Sequence, residues 1–366
     1  MFHILHIVES FGAGCFTGLE NLVSVLQKDA RHSIAYALRR ETPKAFEQYF
    51  PPEVRFYHIQ HLQREISLYK DFSTLFTLIK LMRKIQPSLV HCHSSKAGAL
   101  GRLATFYVGI PCIYTPHGYA FLQEDLPWAK QQIYWWAEKV AAFLGSGVIA
   151  CGEQEYHISK TLNSKRKLVV QINNSLDTDF LDMVKPISKN NPNRLRAGIC
   201  GRVAVPRNPE LFVGIASSCP MAEWVWIGAE EQDHDVLPGF ILSTGWLEHE
   251  KAIAWMDSLD IYIQTSRWEG LPYSVLEAMG MGKPVVLTDI PSNRALVRHG
   301  ETGFLGKTPE EMIHYTQLLL ADSQLREKIG AAARDYVRKH HNMRVEFMKY
   351  LDVYQALLPE SKVSSR

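Results

Sequence analysis

Short apolar runs rich in β-branched residues recur along the chain, separated by stretches whose apolar positions fall three or four apart. Residues 1–8, 33–38, 54–58, 88–91, 111–115, 147–153 and 168–173 read as buried strands of a first half. Residues 196–200, 224–228, 241–245, 260–264 and 283–288 do the same for a second half. The spacing predicts helices over 19–27, 75–85 and 128–144, and three more over 310–321, 323–339 and 344–358. Strands that alternate with helices imply an α/β protein with parallel sheets. A polar, Pro/Asn-rich stretch, 185–196, marks a boundary between two domains, placed at 1–180 and 181–343. The tail 359–366 is polar and expected to fray.

The stretch from Arg267 to Gly280 interrupts this pattern with chemistry. A strand ends at Gln264, and Val275, Leu276 and Met279 then fall at helical spacing, with Pro272 at the helix start and Gly280 and Gly282 at its end. Glu269 therefore lies in the loop and Glu277 on the helix. A ligand above the strand's carboxyl end would meet both carboxylates and the free N–H groups of residues 271–275. Carboxylates accept paired hydrogen bonds from sugar hydroxyls, and helix N-terminal N–H groups suit phosphate. A nucleotide sugar satisfies both, although paired glutamates are also ordinary helix and loop charges.

Other candidates lie where strands end. Gly12, Gly14 and Gly18 make a glycine-rich turn without dinucleotide-fingerprint spacing, so a plain tight turn also accounts for them. His91 and His93 stand two apart on a strand with no third metal ligand nearby in sequence, followed by Ser94, Ser95 and Lys96. His93, Ser95 or Lys96 would approach an acceptor there, or a serine would simply cap a helix. His117 sits in a turn, Pro116-His117-Gly118-Tyr119, at a strand's carboxyl end. Arg202 and Arg207, five apart after another strand, would clamp a diphosphate from two sides. Trp246 follows a short strand and would pack in a core. Tyr134, Trp135, Trp136, Lys130 and Lys139 give the 128–144 helix a composition suited to a membrane surface as well as to a core.

Composition narrows the classes. At 366 residues, 46% of them apolar, the chain can fill two ordinary cores. A formal charge of +2 argues against a dedicated nucleic-acid binder. Six scattered cysteines without a C-x-x-C pair read as buried thiols of a reducing compartment. The N-terminus lacks a basic start and a cleavage site, and no apolar run reaches about 18 residues, so a cytoplasmic protein is expected.

Glu269 and Glu277 around Gly270-Leu271-Pro272 resemble the E-x7-E signature of the retaining GT-B glycosyltransferases of family 4. The likeness continues through Gly282-Lys283-Pro284-Val285-Val286 and Gly300-Glu301-Thr302-Gly303-Phe304-Leu305. The "HSSKAG" and "TPHG" segments are similar to those of bacterial enzymes that build capsule, exopolysaccharide or O-antigen. The resemblance implies two Rossmann-like, doubly wound domains facing each other across a cleft, with the last helix returning to the N-terminal domain. It implies Gly14 and Thr17 near the donor diphosphate, with Ala13 in a place where relatives often carry glycine. It assigns His117 to the reacting carbon, Arg202 and Arg207 to the leaving diphosphate, and Trp246 to the edge of the base site. Arg207 stands where a lysine is usual. It assigns Glu269 with Gly270, Leu271, Pro272, Tyr273 and Ser274 to the donor sugar and phosphates, and Glu277 to the ribose. Departures are Gly152 for a usual serine, Ser175 in an "N-G-x-D" turn and Ala295 where a Glu is common.

The implied reaction moves a sugar from a nucleotide-diphosphate donor to a hydroxyl, with retention and through an oxocarbenium-like state. The acceptor is expected to be a lipid-linked saccharide at the inner face of the cytoplasmic membrane. The two arginines and the helix start would do the work of a divalent ion, so no metal or other cofactor is expected. A sugar-nucleotide epimerase of the same fold would share the nucleotide site but need no acceptor, and a non-catalytic binding subunit would bind the donor without turning it over. A phosphorylase would need a pyridoxal phosphate lysine, for which no segment calls.

Overall fold

The computed structural model describes residues 1–358 apart from 64, 124, 125, 166, 190, 231, 232 and 234. The expected frayed tail, 359–366, lies outside the described residues. Residues 1–174 with 343 onward form one compact unit, and 175–342 form a second. The division falls at Asn174/Ser175, a few residues before the expected boundary. The polar stretch 185–196 lies inside the second unit.

Unit 1 carries β1 (Phe2–Phe11), α1 (Ala13–Leu26), β2 (Ala30–Leu38), β3 (Arg55–His58), α2 (Leu68–Ile85), β4 (Leu89–His93), α3 (Ser95–Val108) and β5 (Cys112–Thr115). It continues with α4 (Trp128–Ala141), β6 (Gly147–Ala150), α5 (Glu153–Leu162) and β7 (Leu168–Gln171). The seven strands form one parallel sheet in the order β3-β2-β1-β4-β5-β6-β7. Side chains of β1, β4 and β5 alternate between a face covered by α2, α3 and α4 and a face covered by α1 and the C-terminal segment. Burial on both faces explains why these strands read as nearly continuous apolar runs.

Unit 2 opens with α6 (Thr178–Met183), capped by the Asp177 carboxylate, which accepts from the N–H groups of Asp179 and Phe180. Then come β8 (Arg196–Cys200), α7 (Pro209–Ser218), β9 (Glu223–Ile227), β10 (Ile241–Ser243), α8 (His249–Asp257), β11 (Ile261–Gln264) and α9 (Tyr273–Gly280). β12 (Val285–Thr288), α10 (Pro291–Leu296), β13 (Phe304–Gly306), α11 (Pro309–Ala321) and α12 (Ser323–His340) complete it. Its parallel sheet runs β10-β9-β8-β11-β12-β13. The final helices, α13 (Met343–Glu346) and α14 (Met348–Leu357), belong to unit 1. There Phe347, Tyr350 and Tyr354 pack against Ile4, Leu22 and Leu89.

Several boundaries differ from the sequence pattern. α1 begins at Ala13, not Leu19, so Gly14 and Thr17 are helical. The buried series Phe16, Leu19, Leu22, Val23 and Leu26 already has helical spacing, and the glycines had masked its start. α2 starts seven residues before the expected 75, and α3, α7 and α8 had no strong apolar period to announce them. Ser94 precedes α3, but its hydroxyl donates to Glu9 Oε2 at 2.6 Å rather than capping the helix.

Arg102 fixes α3 to α4. It is fully buried, donates to Glu138 Oε2 at 2.7 Å, and stacks over the Tyr114 ring at 4.1 Å. Tyr114 Oη donates to the other Glu138 oxygen at 2.8 Å, so neither charge is left bare.

Ala13 has φ 47°, a left-handed conformation that costs an L-residue about 1–2 kcal/mol. Its side chain is exposed, so little packing depends on it. Ala13→Gly should therefore raise stability by about 0.5–1 kcal/mol, read as a higher denaturant midpoint, whereas Ala13→Val should lower it.

Candidate active site

The functional candidates of unit 2 collect at the carboxyl ends of β8 and β11, where parallel sheets leave backbone groups unpaired. The chain leaves β8 through Gly201, at φ 137°; a Cβ there would come within 3.2–3.3 Å of the Arg207 guanidinium. Gly228, at φ 96°, passes directly beneath, where a Cβ would meet the Gly201 carbonyl at 3.1 Å. Glycine at both positions lets the β8 loop lie close against its neighbour. A short 3₁₀ turn, Val205–Arg207, then aims Arg207 back toward β11.

Arg207 is tied to β11 at both ends. Its carbonyl accepts from Thr265 Oγ1 at 2.6 Å, and its Nη1 lies 2.8 Å from Glu269 Oε1. Burial disfavours the guanidinium charge, but Glu269, with Tyr262 and Cys200 beside it, together outweigh that effect and raise the Arg207 pKa. The same Glu269 oxygen accepts from Ser266 Oγ at 2.8 Å and from Gln264 Nε2 at 3.3 Å. All three donors use Oε1, and Oε2 takes none of them. Arg202, by contrast, is exposed.

Gly270 and Leu271 lead into α9, where Pro272 occupies the N-cap in extended conformation rather than the first helical position. Tyr273 and Ser274 form the first turn. Glu277 is buried, and its Oε1 lies 2.7 Å from His249 Nε2. The His249 ring stacks on Phe180 with centroids 5.7 Å apart. His249 had no signal in the sequence, because its role depends on α8 packing beside α9. Trp246 is 39% exposed just after Gly245, which turns at φ 73°.

In unit 1, His117 has φ 52° in the turn after β5. Its Nε2 lies 3.1 Å from His93 Nδ1 and its Nδ1 lies 3.5 Å from Cys151 Sγ. Burial lowers its pKa to about 4. The turn is braced by Glu155, whose carboxylate accepts from the N–H groups of Gly118 and Cys151. Burial raises the Glu155 pKa. Sequence reasoning passed over this residue, which looks like an ordinary first-turn helix acid.

The acceptor-side candidates fare differently. Ser95 opens α3. Lys96 is held in an ion pair with Asp71 at 2.6 Å and donates to the Glu65 carbonyl at 2.7 Å, so its charge is spent on α2. His93 is buried, with both ring nitrogens against other histidines. Gly14 lies in the first turn of α1, and Thr17 Oγ1 turns back to the Ala13 carbonyl at 3.5 Å.

The view that His91 and His93 lack a third metal-type partner is corrected. The β1–β4 register sets His6 opposite His91, and His6, His91 and His93 each bring a ring nitrogen within 4.8 Å of one another. However, His91 Nδ1 lies 2.7 Å from Tyr354 Oη and His91 Nε2 lies 2.8 Å from Thr115 Oγ1. Hydrogen bonds already occupy the atoms a metal would need. The chain also contains two D-x-D triplets, at Asp177–Asp179 and Asp233–Asp235. One carboxylate in each serves the local backbone: Asp177 caps α6, and Asp233 accepts from the Glu230 N–H at 2.8 Å.

Residues 239–336 match the family model of glycosyl transferases group 1, and residues 14–174 match that of the glycosyl transferase 4-like domain. The chain belongs to the group 1 glycosyltransferase family. It has the GT-B fold, with two parallel-sheet, Rossmann-like units. This glycosyltransferase is 29% identical over 279 residues to the Escherichia coli UDP-Gal:alpha-D-GlcNAc-diphosphoundecaprenol alpha-1,3-galactosyltransferase, a match covering 70% of this chain and 72% of that one. Its fold is similar to sucrose-phosphate synthase from Thermosynechococcus elongatus, with a TM-score of 0.82 at 17% identity over 98% of this chain and 99% of that one. It is also similar to Anabaena HepE, solved in complex with UDP-glucose, with a TM-score of 0.78 at 19% identity over 98% and 100% of the two chains. No helix among the described residues is long and apolar enough to cross a membrane.

Burial lowers the pKa of His32 and His117 from 6.5 to about 4, and holds His6, His91 and His93 well below 6.5. The unfolded chain binds protons at these sites below pH 6.5 that the folded chain refuses. The stability they contribute is complete above 6.5 and lost as pH falls toward 4, at about 1.4 kcal/mol per pH unit for each histidine. Urea unfolding should accordingly show a much lower midpoint at about pH 5 than at about pH 7.5, with a slope reporting uptake of more than about two protons. Equal midpoints would refute the buried, neutral state of these rings.

Proposed function

We propose that this glycosyltransferase moves a sugar, with retention of configuration, from a nucleotide-diphosphate sugar to a hydroxyl of a lipid-linked saccharide in surface-polysaccharide assembly. The observation that carries the reading is Glu269. Three donors hold one of its oxygens beside Arg207, and the other is left for ligand hydroxyls at the carboxyl end of β11. The Escherichia coli relative, whose name specifies a diphosphoundecaprenol-linked acceptor, supports the acceptor class.

Arg202, Arg207 and the N–H groups at the start of α9 neutralise the departing diphosphate, to which Gly14 and Thr17 are also assigned. Their fixed charge makes a divalent ion unnecessary. Glu269 Oε2 takes donor-sugar hydroxyls, Glu277 the ribose, and Trp246 borders the base. Gly270 and Leu271 shape the loop, while Pro272, Tyr273 and Ser274 set the α9 turn that faces phosphate. His117 of unit 1 positions the sugar as positive charge develops on its ring. No carboxylate is assigned as a nucleophile, which favours front-face attack. Ser95 meets the acceptor, with His93 and Lys96 behind it.

An anionic membrane surface is proposed as the place of work. On one face of unit 1, α2 packs on α3 and α3 on α4. Tyr69, Phe72, Phe76, Phe106, Trp128 and Trp136 on these helices are each at least 60% exposed. Exposed Lys80, Arg83, Lys84 and Lys130 stand on the same helices. Aromatic rings with a basic fringe suit a headgroup interface.

Glu269→Ala or Arg202→Ala should each lower turnover by about 10²–10³-fold in a screen of nucleotide sugars, with wild-type turnover unaffected by EDTA. Intact turnover in both variants would sink the assignment, and NMR of the product reads its anomeric configuration. Donor alone separates the rivals: release of a changed sugar means an epimerase, and binding in calorimetry without transfer means a binding subunit. For the membrane, joint replacement of Phe72 and Trp136 by Ser should abolish cosedimentation with phosphatidylglycerol vesicles while a soluble acceptor is still glycosylated. Unchanged cosedimentation would remove this surface from the proposal.

A further inference from the structure

Four imidazoles and a thiol run through unit 1 in one hydrogen-bonded file. His32 Nδ1 lies 3.0 Å from His6 Nε2, and His6 Nδ1 lies 3.1 Å from His93 Nε2. His93 Nδ1 lies 3.1 Å from His117 Nε2, and His117 Nδ1 lies 3.5 Å from Cys151 Sγ. The file crosses β2, β1 and β4 side by side, passes through His117 in the turn after β5, and ends at Cys151 just after β6. His6, His32 and His93 are buried where aliphatic side chains ordinarily fill a parallel sheet.

A neutral imidazole has one N–H and one lone pair. In a file of such rings each donates in the same sense, so the choice made at one end fixes every tautomer along it. A proton added to His6 or His93, each bonded through both nitrogens to other rings, would set donor against donor in a buried region.

We propose that His93, His6 and His32 are positioning residues of the transfer reaction, holding His117 neutral, in one tautomer and one ring orientation. None of them touches substrate. The inference rests on the proposed role of His117 at the sugar. An imidazolium there would oppose the positive charge that develops on the sugar ring, so a rigid neutral ring is what the reaction needs. The titratable groups facing the file fit this task. His3 flanks His6, His91 lies beside His93 on β4, Cys151 stays a thiol because burial raises its pKa, and Cys15 lies near Cys151. Glu155 binds the backbone of the turn rather than the His117 ring.

The test replaces the middle of the file with a ring of similar size that has no nitrogens. His6→Phe should lower kcat at least about tenfold with donor KM within about twofold, and should move the acid limb of the kcat profile up toward pH 6.5. Because that variant can fail to fold, nitrogen-15 NMR of the histidine rings in the unaltered protein provides an independent reading. His6, His93 and His117 should each show a single neutral tautomer from about pH 8 down to about pH 5.5. A folded His6→Phe variant with wild-type kcat and pH profile would overturn the proposal. So would titration of His117 near pH 6.5, or a mixture of its tautomers, in the unaltered protein. His117→Ala separates the two levels. If it leaves turnover intact, the reading of the site fails; if it abolishes turnover while folded His6→Phe does not, the file alone fails.

Discussion

The ion pair between Arg207 and Glu269 is the constraint on which unit 2 turns. It joins the loop after β8 to the loop after β11, and Gly201 leaves room for the guanidinium to lie against the backbone. A buried guanidinium without a partner would be costly, and Glu269 supplies that partner. Ser266 and Gln264 hold Glu269 at one oxygen. The geometry that stabilises the loops is the same geometry that leaves one carboxylate oxygen available.

Unit 1 solves a related problem in a different way. Its sheet is covered on both faces, yet it contains His6, His32, His91 and His93. None is paired with a carboxylate. They bond to one another, to Thr115 and to Tyr354, and their low pKa values follow from that burial.

Much of this was legible in the sequence where the signal is local. Strands buried on both faces announce themselves as apolar runs, and the Glu269–Glu277 spacing depends on one loop and one helix. What escaped depends on contacts between residues far apart in the chain. His6 joins His91 and His93 through the β1–β4 register, across 85 or more residues. His249 reaches Glu277 by helix packing, and Lys96 pairs with Asp71 on another helix. The early start of α1 was hidden for a different reason: three glycines read as a turn, although the buried face of a helix was already present.

The return of α13 and α14 to unit 1 sets an order of events during synthesis. Unit 2 is complete once residue 342 has been made, and its core includes nothing from later in the chain. Unit 1 begins first but finishes last. The surface around Ile4, Leu22 and Leu89 stays uncovered until Phe347, Tyr350 and Tyr354 arrive. A nascent chain therefore carries an open apolar face through most of its translation, which makes the unfinished N-terminal half the portion most in need of a chaperone.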